Sequence, residues 1–273
     1  MRCLLLVFFA ILLLQSCRPA SNKYIDSKGG NIETRILLPE GYSRIVCGDS
    51  TFSAYVRHLP LLPNGTKVHY FDGSVKDKPD VYVAVIDMET GKKDLQQCAD
   101  VAIHVRADYL YKSNRHDKIK FNFTSGFEAP YSKWMEGYRV SLKGNKAEWV
   151  KVAAPGDNEQ IFRSYMDVIY SYCGSLSLSR ELKKIRFDEI QPGDILIKGG
   201  SPGHVELVTD MAIDKHGNKI YMLAQGYMPS QQMQLLANPM NLSISPWYEL
   251  KSGAIRTPEC VFNSDQFMRF EVD

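Results

Sequence analysis

A thiol becomes a nucleophile when an imidazole can take its proton and a helix start favours the thiolate. The arrangement to seek is therefore a cysteine in a first helical turn facing a histidine held by a sheet. Cys98 and His204 meet those two conditions. Cys98 follows Asp94, a residue type that caps helices, and His204 stands where Gly199-Gly200-Ser201-Pro202-Gly203 gives way to the β pattern of Val205 to Val208. A third group must hold the imidazole in one tautomer. Gln225, leaving the strand Ile220 to Ala224 beside that of His204, is the candidate, and Asp210 is a weaker one. Two plainer readings stand beside this one: Cys98 lies on an apolar stripe where a small core residue also fits, and His204 suits a turn cap equally well. His58, His69, His104, His116 and His216 show no metal-binding spacing with carboxylates or thiols, so no metal and no cofactor is expected.

The elements that must position these residues follow from turn signals and periodicity. Gln191-Pro192-Gly193-Asp194 is a turn opening the apolar run Ile195 to Ile197, and the strands 195–197, 205–211 and 220–224 are expected to be consecutive and antiparallel because their connections are short. Asp94 is expected to cap a helix with the stripe Leu95, Cys98, Ala102, Val105 and Tyr109, leaving Asp100, His104, Arg106 and Asp108 largely off it. Elsewhere, helical spacing predicts helices over 50–59, ended by Pro60, over 159–172, stopped by Gly174, and over 179–185. Strands are predicted over 67–71 and 81–87, as sheet neighbours forming an N-terminal hairpin, and over 119–123, whereas 124–152 shows no clean period.

The N-terminus predicts a different fate from the body. Arg2, the apolar run Leu4 to Leu14, too short to span a bilayer, and the ending Leu14-Gln15-Ser16-Cys17 resemble a bacterial lipoprotein signal over 1–16, cleaved before Cys17 with lipid on its sulfur. Residues 17–35 then read as a lipidated flexible tether and 36–273 as a single α+β domain. A net charge of +2 with interspersed signs gives no electrostatic support for nucleic-acid binding. Cys47, Cys98, Cys173 and Cys260 allow three pairings and prefer none, so an unpaired thiol is permitted. Trp134, Trp149 and Trp247, with fifteen tyrosines, fit either ordinary packing or a sugar-binding groove.

Two resemblances add to this reading. PGDILIKGG followed by GHVELVTD resembles the strand pair of the NlpC/P60 group of papain-like cysteine peptidases. It implies a papain-like antiparallel sheet packed against helices, here with the N-terminal hairpin and inserted segments, and carries the roles of nucleophile, base and orienting residue onto Cys98, His204 and Gln225. DLQQCADVAIHVRADYLY, FNFTSGF, YSKWMEGYRV, GGSPGHVELVTDMA and AQGYMPSQ look like an uncharacterised family of Bacteroidetes lipoproteins known only as a domain of unknown function. That likeness implies a place in the bacterial cell envelope, on the membrane through Cys17, and no reaction. Together they lead to the expectation of a lipid-anchored cysteine hydrolase, a peptidase or amidase acting on an envelope peptide such as a peptidoglycan stem. The alternative is a non-catalytic lipoprotein that binds a glycan or peptide in an aromatic cleft. For the anchor, Cys17→Ser is expected to give a protein without diacylglycerol; intact mass spectrometry checks it, and a lipid mass on the variant refutes the assignment.

Overall fold

The computed structural model describes residues 22–144 and 146–271. The signal peptide over 1–16 and the lipidation of Cys17 lie outside these residues. Six α-helices stand among the described residues: α1 (Ile32–Arg35), α2 (Phe52–Arg57), α3 (Cys98–Lys112), α4 (Tyr131–Met135), α5 (Glu159–Tyr172) and α6 (Ser175–Glu181). The strands are β1 (Tyr42–Arg44), β2 (Tyr82–Val85), β3 (Lys120–Asn122), β4 (Glu128–Pro130), β5 (Tyr138–Lys143), β6 (Lys146–Lys151), β7 (Lys183–Lys184), β8 (Ile195–Lys198), β9 (His204–Asp214), β10 (Lys219–Gln225), β11 (Gln234–Leu236), β12 (Tyr248–Glu249), β13 (Ala254–Arg256), β14 (Val261–Asn263) and β15 (Phe267–Arg269). The protein is a mixed α+β structure with antiparallel sheets. Its main sheet has the order β2-β11-β10-β9-β8-β15-β7, with β1 added to β9 and β12 to β10.

The strands β8, β9 and β10 are consecutive and antiparallel. The β9–β10 hairpin closes where expected because Asp214 accepts from the N–H groups of His216 and Asn218 while Gly217 takes a positive φ. The sheet separates two apolar clusters. Val205, Leu207, Ala212, Met222 and Ala224 face the cluster that includes α3 and α5, and Val208, Met211, Tyr221, Leu223 and Leu236 face the other. Val208 and Met211 share a face although three residues apart, because the β9–β10 register shifts between Met222 and Leu223: Met222 pairs with Asp210 and Leu223 with Val208, leaving Thr209 over. The shift sends Asp210 to the helix side, where its carboxylate binds Arg57 of α2 at 2.6 Å and Arg44 of β1 at 2.7 Å.

Helix α3 is buried nearly all round, from Cys98 through Ala107 and again at Tyr109 and Leu110, which corrects the one-sided stripe. Asp100, His104 and Arg106, read as off the core face, are buried too: Tyr170 of α5 covers His104, and Arg106 lies against the Phe52 and Phe270 rings with its Nη2 on Glu271 O. The expected N-terminal hairpin is also corrected. Asp72-Gly73 turns the chain back at once, with Tyr70 N–H donating to Ser74 O and Lys76 N–H to Val68 O, so 67–71 meets 74–76 and β2 pairs with β11 instead. The chain is already folded from Asn22 inside the stretch read as tether: Tyr24 and Ile32 are buried, and Arg35 Nε donates to Gly29 O at 2.6 Å. Helix α5 starts at its Asn158 cap as its spacing predicts, whereas α6 starts four residues before 179 because Ser177 accepts the Gly174 N–H. The unplaced 124–152 holds β4, α4 and the β5–β6 hairpin.

Asp210 is fully buried between its two guanidiniums, so removing the carboxylate strands Arg57, itself 6% exposed. Asp210→Ala is expected to cost about 3 kcal/mol, read as a lower urea midpoint.

Candidate active site

His204 opens β9 and Gln225 closes β10, and because the two strands are antiparallel neighbours both side chains arrive at one end of the sheet. Alternation places His204 and Glu206 on the face of β9 that carries Val208, and Gln225 on the face of β10 that carries Tyr221 and Leu223. Cys98 is the first residue of α3. Its helix start is admitted to the strand ends by Gly226, where a methyl group would stand 2.5 Å from Val101 Cγ2 and 3.0 Å from the Gln97 carbonyl. Ser230 ties the same loop down, its N–H donating to Asp94 Oδ1 at 2.7 Å and its hydroxyl to Gln96 O at 3.0 Å. Asp94 thus braces the turn before the helix rather than capping it. The N-cap is Gln97, whose N–H donates to Oδ2 of Asp100 in the first turn at 3.0 Å.

The Cys98 thiol stands within interaction reach of the His204 imidazole. Ring Nε2 meets Gln225 Oε1 at 2.6 Å, and the amide Nε2 of Gln225 donates to Glu259 Oε2 at 2.7 Å. A carboxylate only accepts, so the amide oxygen must face the ring, ring Nε2 must carry hydrogen, and Nδ1 is the nitrogen left for the thiol. Glu206 is fully buried, with Oε1 3.5 Å from ring Nε2 and 2.7 Å from the Thr257 hydroxyl that donates to it. Burial alone disfavours the charged imidazole, but the Cys98 sulfur and then the Glu206 carboxylate outweigh it, so its pKa is pushed up to about 10. The Tyr227 ring stands edge-on at 5.2 Å and the Phe262 ring stacks at 6.0 Å. Cys98 is 9% exposed and His204 5%, and Tyr227 beside the ring is partly exposed.

The structure therefore brings Cys98, His204 and Gln225 together. It removes Asp210 as a partner of His204, because Arg44 and Arg57 occupy it. Sequence reasoning missed Glu206, Thr257, Glu259, Lys76 and Tyr227. Glu206 left a signal, a lone carboxylate two residues after His204 in a strand and hence on its face. Glu259 and Thr257 left none, since only the turn between β13 and β14 carries them there. Cys47, Cys98, Cys173 and Cys260 are all free thiols; burial raises the pKa of Cys260, which also feels the charge of His204. No group of three or more His, Cys, Asp or Glu among the described residues could hold a metal ion.

The tryptophans do not line a groove. Trp247 is fully buried, with its indole N–H on Leu37 O, and Trp134 is buried under the Arg139 guanidinium. A cleft of about 520 Å³ lies instead between α3, α5 and the segment 89–96, lined by Tyr111, Phe162, Met166 and Tyr170 and reaching Gln96 beside the helix start. It contains neither Cys98 nor His204.

Fold and site together define an α+β protein whose central helix presents a buried thiol to a histidine and a glutamine at one sheet end. The chain belongs to the family described as Domain of unknown function (4846), whose model matches residues 32–269. No curated protein and no solved structure matches it.

The approach at Gly226 makes a testable point. Gly226→Ala is expected to lower stability by about 1–3 kcal/mol and to slow alkylation of Cys98, because the new methyl pushes the helix start away from β10. Gly30→Ala, where a methyl meets nothing within 4 Å, serves as the control; equal effects of the two substitutions, by urea unfolding and alkylation rate, refute the role of Gly226.

Proposed function

We propose that this protein is a cysteine hydrolase, a peptidase or amidase, in which Cys98 is the nucleophile, His204 the base and Gln225 the residue that orients it. The observation that carries the reading is the approach of the Cys98 thiol to an imidazole whose Nε2 is already engaged by Gln225 at 2.6 Å. Position supports it further, since the thiol sits at the first residue of a fifteen-residue helix, where unpaired N–H groups and the helix dipole favour a thiolate. The chemistry then runs in two halves. With the thiol proton already on ring Nδ1, the sulfur bonds to the substrate carbonyl carbon, and the first-turn N–H groups of α3 are the donors at hand for the carbonyl oxygen. The imidazolium returns the proton to the leaving amine as the C–N bond breaks. Water then hydrolyses the thioester, with the same imidazole as base.

A central helix whose first residue meets a histidine on an antiparallel strand, with the third residue on the next strand, also supports a papain-like architecture of the NlpC/P60 kind. With the lipoprotein-like N-terminus, the substrate is an envelope peptide such as a peptidoglycan stem and the location a membrane of the bacterial envelope, held through Cys17. One observation favours a second reading, ligand binding without catalysis: the cleft at Tyr111, Phe162 and Tyr170 is roomy and aromatic, and stands apart from the thiol.

Iodoacetamide alkylation, read residue by residue by peptide mass spectrometry, separates the two. Cys98 is expected to react at a pH well below that at which Cys47, Cys173 and Cys260 react, and Cys98→Ala to abolish cleavage of stem peptides while costing about 1 kcal/mol of stability for the lost buried sulfur. A Cys98 that stays inert until the protein unfolds leaves the binding reading alone.

A further inference from the structure

A neutral amide at Nε2 leaves a question of charge. His204 is 5% exposed, and an imidazolium at that depth needs an anion close by. On the reading just proposed, the thiolate fills that role only until it bonds to the substrate carbon; the negative charge then passes to the carbonyl oxygen, held by the first-turn N–H groups of α3, yet the imidazolium must persist until it protonates the leaving amine. The groups facing the ring are Cys98 from α3, Glu206 beside it on β9, Gln225 and Tyr227 from the end of β10, and Phe262 from β14. Cys260 lies within electrostatic reach. Glu259 stands behind Gln225, but its charge is already met by Lys76 at 2.6 Å and Lys78 at 3.4 Å. That leaves Glu206, whose Oε1 is 3.5 Å from ring Nε2, and which has a hydroxyl, not a cation, as its other partner, with Oε2 buried and without a hydrogen-bond partner.

We propose that Glu206 is a positioning residue, a counter-charge to the His204 imidazolium, and that Glu259, clamped by Lys76, locks the Gln225 amide with its oxygen toward the ring. Burial pushes the Glu206 carboxyl up, and the His204 imidazolium and the Thr257 hydroxyl pull it back toward ionisation. Gln225 and Glu206 divide the work by distance. Gln225 at 2.6 Å takes the hydrogen bond and fixes the tautomer, while Glu206 at 3.5 Å supplies charge without competing for the hydrogen. The Lys76–Glu259 pair is buried, with side chains 2% and 5% exposed, and this holds the acceptor for the Gln225 amide in place. The proposal rests on the hydrolase reading for its purpose, but the charge state of His204 can be measured without a substrate.

The test is a pH titration of the ring nitrogens of His204 by NMR on the full chain with labelled histidine, the signal being assigned by its loss in His204→Gln. Wild type is expected to hold His204 doubly protonated through neutral pH. Glu206→Gln, which keeps the size of the side chain and an acceptor for Thr257, is expected to lower the midpoint by about 1 pH unit or more, the scale of one removed neighbouring charge. Thr257→Val, which removes the hydroxyl that helps keep the buried Glu206 ionised, is expected to shift the midpoint the same way by less, and takes over if Glu206→Gln fails to fold. Glu259→Gln is expected to add a second neutral tautomer above the midpoint. A midpoint unmoved in both Glu206→Gln and Thr257→Val overturns the role of Glu206, and a single unchanged tautomer in Glu259→Gln overturns that of Glu259. Alkylation of Cys98 on the same samples separates the failures: an inert thiol beside a shifted midpoint removes the hydrolase and supports the counter-charge, and a reactive thiol beside an unmoved midpoint does the reverse.

Discussion

The approach of the α3 start to the ends of β9 and β10 is the contact on which the rest of the site depends. Gly226 leaves room for it and Ser230 fastens it, so the turn 94–97 is pressed against the loop that follows β10. Its consequence is geometric: a side chain at the first position of the helix lands at the mouth of the strand opened by His204. The contact is also electrostatic, because the unpaired N–H groups of a helix start lie beside a residue whose anion they favour. Burial of α3 on nearly all sides holds that end in place, so the geometry of the thiol is a property of the core rather than of a loop.

Buried carboxylates on this sheet fall into two kinds. Asp210 and Asp194 are fully buried and closed by arginines, Asp210 by Arg57 and Arg44, and Asp194 by Arg269 at 2.6 Å. An arginine never gives up its proton, so these pairs keep their charge and hold the ends and edges of the sheet together. Glu206 has no arginine. Its cationic neighbour is an imidazole, the one side chain whose ordinary titration falls near neutrality, and so this acid can influence a proton that moves. The same sheet thus uses carboxylates as structure where the partner is fixed in charge and as a source of tuning where it is not.

Strand length and spacing explain much of what was legible. The turn residues at 191–194 and 214–218 set β8, β9 and β10 in sequence, and short connections made them antiparallel neighbours. His204 and Gln225, on the two ends of that hairpin, were therefore readable as a pair before any contact was known. Cys98 was readable as a residue of an early helical turn, though Asp94 suggested a start three residues too soon. The segment 67–71 misled for a physical reason: a strong turn pair says where a chain reverses and not how far the returning strand runs.

The sequence by itself determined the α+β class, the antiparallel hairpin that carries His204 and Gln225, and the helix that carries Cys98, because those depend on local propensity, turn chemistry and short connections. Tertiary structure alone decided that Asp210 belongs to Arg44 and Arg57, since an unpaired residue in β9 turns it to the other face, and that His104 and Arg106 of α3 lie inside, since Tyr170 of α5 covers the one and the Phe52 and Phe270 rings the other. It alone decided the back of the site as well. Glu259 reaches Gln225 across 34 residues and Lys76 reaches Glu259 across 183. No periodicity reports such pairings, which arise only when the buried charges of distant segments are brought together and each must find its partner.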